Sequence, residues 1–76
     1  MEKTDKRLRF ERVASNRVQR ILDTLTLLQN CSNRNNYEYS ESDVERMFAE
    51  ITKKLRETKA AYAKELQKTD KHGFTF

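Results

Sequence analysis

The feature that most constrains this chain is a long stretch without helix-breaking residues. It contains no proline, and its single glycine is Gly73, so residues 1–72 contain neither breaker. Tight turns of β-sandwiches and barrels depend on such residues. With 76 residues and 37% of them charged, the chain is predicted to be one small all-α domain over residues 1–76.

The first half of the chain has apolar residues at helical spacing. They recur every three or four residues, which places them on one arc of a helix over about residues 5–30. The members of this arc are Phe10, Ala14, Val18, Ile21, Leu22, Leu25 and Leu28. Leu8, Val13 and Leu27 fall off the arc and could mark a second contact.

The second half predicts a longer helix over about residues 41–70. Its apolar residues cover an arc of about 100°, the width of a core-facing stripe. They are Val44, Met47, Phe48, Ile51, Leu55, Thr58, Tyr62 and Leu66. Gly73 is expected to end this helix, and residues 71–76 are expected to form a frayed tail.

The segment between the two helices is rich in asparagine, which favours left-handed backbone conformations and Asx-turns. Ser40 with Asp43 forms a capping box for the second helix, and Tyr39 could pack against Val44. Ser42 with Glu45 is a competing box. Either box starts the second helix near residue 41.

Two amphipathic helices joined by a short polar connector predict an antiparallel helical hairpin. Such a hairpin has a thin core, and chains of this size need additional support. The single cysteine, Cys31, excludes an internal disulfide framework. Homodimerisation into a four-helix bundle is therefore expected, with a monomer or docking on another protein as the alternatives.

Charge is distributed in three blocks along the chain. Residues 1–20 and 53–76 each carry net +4, whereas residues 21–52 carry net −4. In an antiparallel hairpin the two basic blocks would lie at one end and the acidic block at the other. Helix dipoles account for the charges of the second helix but not for arginines near the start of the first.

A polar stripe on the first helix is the leading candidate for a functional surface. It lies opposite the apolar arc and consists of Arg9, Arg12, Asn16, Gln19, Arg20 and Asp23, of which the first five are the candidate binding residues. Arginines at this spacing suit phosphate contacts, and Asn or Gln beside them could reach base edges. The pattern predicts a nucleic-acid-associated regulatory or accessory factor.

The connector suggests a different function, that of a protein–protein adaptor or an inhibitor of a host or defence protein. Arg34, Tyr37 and Tyr39 are residue types enriched at binding hot spots. For the two tyrosines a structural role, in which they cover the end of the core, is favoured over a binding role. Arg34 is left undecided between these interpretations.

Other functions have little support in the sequence. Cys31 and His72 are the only soft metal ligands, and the expected hairpin separates them. A catalytic cysteine would lack a nearby base, so Cys31 is expected to be a semi-buried residue closing the first helix. No metal, cofactor, membrane partner or enzymatic activity is predicted. The lone cysteine and the absence of a signal peptide predict a cytoplasmic protein.

Residues 30–45 form the run Asn-Cys-Ser-Asn-Arg-Asn-Asn-Tyr-Glu-Tyr-Ser-Glu-Ser-Asp-Val-Glu, followed by a charged helix containing residues 54–62. This part of the chain resembles small uncharacterised proteins of Gram-positive bacteria and their mobile elements, over about residues 10–65. The resemblance implies a bacterial cytoplasmic setting and carries no activity with it. In architecture alone, a dimer of hairpins also resembles the Rop-type RNA-binding bundle.

Overall fold

The structure is a computed structural model that describes residues 3–71, with side chains described as far as Lys68. It contains helix α1, Asp5–Asn30, and helix α2, Glu41–Lys71, and no strand within residues 3–71. The all-α prediction is confirmed, and α2 ends one residue beyond its predicted end. The chain divides into two units, Met1–Glu38 and Tyr39–Phe76, each with one helix.

The ends of α1 are closed by hydrogen bonds that its own sequence supplies. Thr4 is the N-cap, and its side chain accepts a 3.0 Å hydrogen bond from the backbone N–H of Arg7. Asp5 places a negative charge in the first turn, which favours the helix dipole. At the other end Cys31 is the C-cap, with its backbone N–H donating to the carbonyl of Leu28 at 3.0 Å.

Asn33 organises the turn after α1. Its side-chain oxygen accepts from the backbone N–H of Asn35 at 2.9 Å, which confirms the predicted Asx-turn. Its carbonyl accepts from Asn36 and Tyr37 at 3.1 and 3.0 Å. The expected left-handed conformation is wrong, because no residue within 3–71 has a positive φ. These hydrogen bonds close the turn without a positive φ at any of its residues.

The start of α2 is a reciprocal capping box. Asp43 N–H donates to Ser40 Oγ at 3.1 Å, and Ser40 N–H donates to Asp43 Oδ2 at 2.8 Å. The helix therefore begins at Glu41 with Ser40 as its cap, rather than one step later at Ser42. Tyr39 and Val44, the expected packing pair on either side of the cap, are both half-buried.

Neither helix has a buried side chain among the residues whose burial is described. Along the two apolar stripes Ala14, Leu25, Leu28 and Val44 are half-buried, and the other members are exposed. Thr58 lies within the stripe of α2, and its hydroxyl donates to the carbonyl of Lys54 at 2.8 Å. This bond satisfies the one hydroxyl that interrupts the apolar side chains of that stripe before Tyr62.

Two further expectations concern the end of each helix. Cys31 does close α1, but the expectation of a semi-buried thiol is wrong, since the residue is exposed and free. The residues that follow it in the turn, 32–36, are all polar. The expected stop at Gly73 and the tail over residues 72–76 lie outside the described residues, as does His72.

Candidate nucleic-acid interface

The polar stripe predicted on the first helix lies on α1 and is here called the arginine face. Its members are Arg9, Arg12, Asn16, Gln19 and Arg20. Because an α-helix turns 100° per residue, these five positions span an arc of about 100°. At 1.5 Å per residue, the axial distance from Arg9 to Arg20 is about 16 Å. The face is therefore narrow and three helical turns long.

All five side chains of the arginine face are exposed. Arg9, Arg12 and Arg20 form no ion pair or hydrogen bond with any other described residue. A guanidinium group is always charged and presents donors that match phosphate oxygens in pairs. Within residues 3–71, the donors of these three arginines remain available to a ligand.

One member of the arginine face already forms a side-chain hydrogen bond within α1. Gln19 Nε2 donates to Asp23 Oδ1 at 2.9 Å, one turn further along the helix. One of the two amide donors of Gln19 is therefore occupied. Asp23 places a negative charge beside Arg20 and sets an electrostatic boundary at this end of the face. The sequence pattern placed Asp23 on the polar stripe but did not show this bond.

Two other cations, at the N-terminal end of α1, lie away from the arginine face. Lys3 Nζ contacts both carboxylate oxygens of Glu11, at 2.8 and 2.9 Å, and Arg7 Nε contacts the same carboxylate at 3.2 Å. The Arg7 guanidinium also lies 5.7 Å from the ring centroid of Phe10. Phe10 belongs to the apolar arc, so these residues, here called the Glu11 cluster, lie on the opposite side of α1 from the arginine face.

Arg17 is a cation that the sequence interpretation did not assign to any site. It is exposed, has no ion pair within the described part of the chain, and lies about 60° around the helix from Arg20. The signal that identifies it is the absence of a carboxylate three or four residues away. Arg17 widens the basic surface of α1 beyond the predicted stripe.

The connector residues differ from one another in exposure. Tyr37 is 52% exposed and Tyr39 is half-buried. Arg34 is exposed, in the turn that Asn33 organises. The two tyrosines fall on either side of the division between the two units, after Glu38.

The described residues contain neither a cluster of metal ligands nor a membrane-spanning helix. No group of three or more His, Cys, Asp or Glu side chains that could hold a metal ion occurs there. In the same part of the chain, neither helix has a window apolar enough to cross a membrane.

Asp43 is the group whose ionisation is most clearly perturbed. Its pKa is lowered, first by the hydrogen bond from the Ser40 backbone N–H and next by the bond with the Ser40 side chain. Both bonds belong to the cap of α2, so the perturbation has a structural origin.

Comparison with known proteins gives no further assignment, since the chain matches no family model, no curated protein and no solved structure.

Proposed function

We propose that this chain is a small nucleic-acid-binding protein that contacts phosphates through the arginine face of α1. The observation that carries the proposal is the set of exposed arginines at positions 9, 12 and 20, none paired with a carboxylate within residues 3–71. Elsewhere on α1, Glu11 pairs with Lys3 and Arg7. Glu11 thus pairs with cations on the apolar side of α1, whereas no carboxylate within residues 3–71 forms an ion pair with the three arginines of the opposite face.

The dimensions of the face fit a duplex backbone. The axial distance of about 16 Å from Arg9 to Arg20 corresponds to about five base-pair steps of 3.4 Å. Phosphate contacts at this spacing fix the position of a protein on a duplex but read no sequence. Asn16 lies between the arginines and could contact a base edge in a groove.

The proposed protein acts as an assembly. In it α1 and α2 form an antiparallel hairpin, and two hairpins pair into a homodimeric four-helix bundle that presents two arginine faces. Support comes from the two apolar stripes themselves: within the described residues only Ala14, Leu25, Leu28 and Val44 are half-buried, and the other members of the stripes are exposed. Exposed apolar stripes of this length favour burial against a partner helix.

The same proposal includes the cellular setting of the protein. A bacterial, cytoplasmic protein encoded on a mobile element is consistent with the resemblance of residues 30–45 and with the lone cysteine. In such a setting the protein would act as a regulatory or accessory factor rather than as an enzyme.

The experiment that tests the binding proposal compares two charge-reversed variants. The first is Arg9→Glu, Arg12→Glu, Arg20→Glu. The matched control, Lys53→Glu, Arg56→Glu, Lys64→Glu, changes the net charge equally, on the polar side of α2. Affinities for fluorescent DNA and RNA duplexes are measured by anisotropy at low salt, and helicity is checked by circular dichroism.

The proposal predicts that the α1 variant loses binding while the control retains most of it. Equal losses in the two variants would show that net charge alone governs binding, and would overturn the assignment to α1. Comparing the DNA with the RNA duplex identifies which nucleic acid the face prefers, because shape and the 2′-hydroxyl differ between them.

A second candidate function follows from the exposure of Tyr37. This side chain is 52% exposed next to a turn fixed by hydrogen bonds to Asn33. A rigidly held aromatic residue is a typical anchor of a protein–protein contact. If the chain binds no nucleic acid, an adaptor or inhibitor acting through Arg34, Tyr37 and Tyr39 becomes the proposal to test by mutation.

A further inference from the structure

The Glu11 cluster occupies an unusual place on α1. Arg7 and Glu11 lie on the same arc of the helix as Ala14 and Val18, at its N-terminal end. Lys3, which precedes the helix, reaches eight residues along the chain to pair with Glu11. The Glu11 side chain is 33% exposed, less than either of its partners. One end of an apolar stripe therefore carries a cluster of two cations and one anion.

Both stripes follow the alternating spacing of three and four residues that is typical of helix–helix seams. On α1 the seam positions are Arg7, Glu11, Ala14, Val18, Ile21, Leu25 and Leu28. On α2 they are Val44, Phe48, Ile51, Leu55, Thr58, Tyr62 and Glu65. Each seam is therefore charged at the end further from the connector and apolar nearer to it.

Residues 1–20 and 53–76 are both net positive, but the residues at the seam positions of these two ends carry opposite charges. The Glu11 cluster carries one net positive charge, whereas the seam of α2 ends on the carboxylate of Glu65. Lys68 Nζ lies 3.4 Å from Oε1 of that carboxylate. Both side chains are exposed, and exposed ion pairs contribute little to stability. In an antiparallel pair of seams the N-terminal end of α1 meets the C-terminal end of α2, so opposite charges would adjoin.

We propose that the Glu11 cluster is a partner-selecting element that docks against the Glu65 end of α2 in a second copy of this chain. Docking of two α1 seams in parallel would bring two positive clusters together, and like charges across an interface are strongly unfavourable. The α2 seam of a second copy offers an apolar surface continuous with an opposite charge. This inference rests on the self-association proposed above.

The test mixes two variant chains with complementary charges. One chain carries Glu65→Lys, and the other carries Arg7→Glu, which makes the cluster net negative. Each variant alone is expected to dimerise at least about tenfold more weakly than the wild type, because like charges meet twice in a symmetric dimer. Mixed together, they should form a heterodimer in which both contacts are restored. Native mass spectrometry measures the heterodimer fraction after exchange.

The control mixes a Glu50→Lys chain with an Arg9→Glu chain, since both positions lie off the seams. This pair should give the one-half heterodimer of random exchange, and the test pair a clearly larger fraction. A random fraction for the test pair would overturn the inference even if the wild type is a dimer. A monomeric wild type would overturn both the inference and the self-association, while leaving nucleic-acid binding to be judged by its own experiment.

Discussion

Ser40 and Asp43 close the start of α2 by exchanging hydrogen bonds. The Asp43 carboxylate accepts from the Ser40 N–H at 2.8 Å, and the Ser40 hydroxyl accepts from the Asp43 N–H at 3.1 Å. Because the carboxylate accepts the Ser40 N–H bond as an anion, the pKa of Asp43 lies below its ordinary value. The stability of the first turn of α2 therefore depends on pH.

Acidification should open this cap. A lowered folded-state pKa stabilises the folded form above the unfolded pKa, which is about 3.9 for aspartate. This contribution is lost as the pH falls further, through the lowered folded value. The amide resonances of residues 41–44 should shift toward unfolded positions over that window. In Asp43→Asn, where nothing titrates, the same resonances should show a much weaker dependence on pH.

Removal of the cap hydroxyl should destabilise α2 from its first turn. We expect Ser40→Ala to cost about 1 kcal/mol in the free energy of unfolding, the usual cost of losing an N-cap. Ser42→Ala is the matched control, since Ser42 lies within the first turn and does not cap it. Chemical denaturation followed by circular dichroism gives both values. A larger loss for Ser42→Ala would contradict the cap seen here.

Helix positions and caps were accessible from the sequence because they depend on local interactions. The spacing of apolar residues and the pair Ser40 and Asp43 specify α2 within a few residues of its ends. The contact from Lys3 to Glu11 was not accessible, since Lys3 lies outside the helix and no helical spacing relates the two residues. The exposure of Cys31 was not accessible either, because it depends on which side chains pack over that residue.

The apolar stripes should be essential to assembly. Ile51→Asp or Leu25→Asp would place a charge in a seam and should abolish the dimer and reduce helicity, at a cost of several kcal/mol. Leu25→Ala should cost roughly 2–5 kcal/mol if that side chain is buried in the dimer. Lys53→Asp, on the polar side of α2, is the control. Sedimentation equilibrium would reject the bundle if the Asp variants remained folded, soluble monomers.

Asp23 should weaken the arginine face that it borders. Because its carboxylate holds Gln19 and lies one turn from Arg20, Asp23→Asn should remove a repulsion toward phosphate and tighten duplex binding several-fold. Glu50→Gln, an equal charge change on α2, should leave the affinity nearly unchanged. Anisotropy titrations at one fixed salt concentration compare the two variants with the wild type.

The sequence was enough to predict which residues form the candidate site, but not which of the cations on α1 are ion-paired. Helical spacing alone places Arg9, Arg12 and Arg20 on one face. It does not reveal which cations are neutralised, because ion pairing depends on rotamers and on residues beyond the helix. Within residues 3–71, the structure shows that Lys3 and Arg7 are paired and that Arg17 is not, although all three count equally toward the net charge.

The most direct test of phosphate binding by the arginine face is the salt dependence of duplex affinity. The slope of log affinity against log salt is measured for the wild type and for Arg9→Ala, Arg12→Ala and Arg20→Ala. The account predicts measurable binding at low salt and a slope shallower by about 0.9 on DNA for each arginine removed. Slopes identical to the wild type, or no binding to DNA or RNA at low salt, would contradict it.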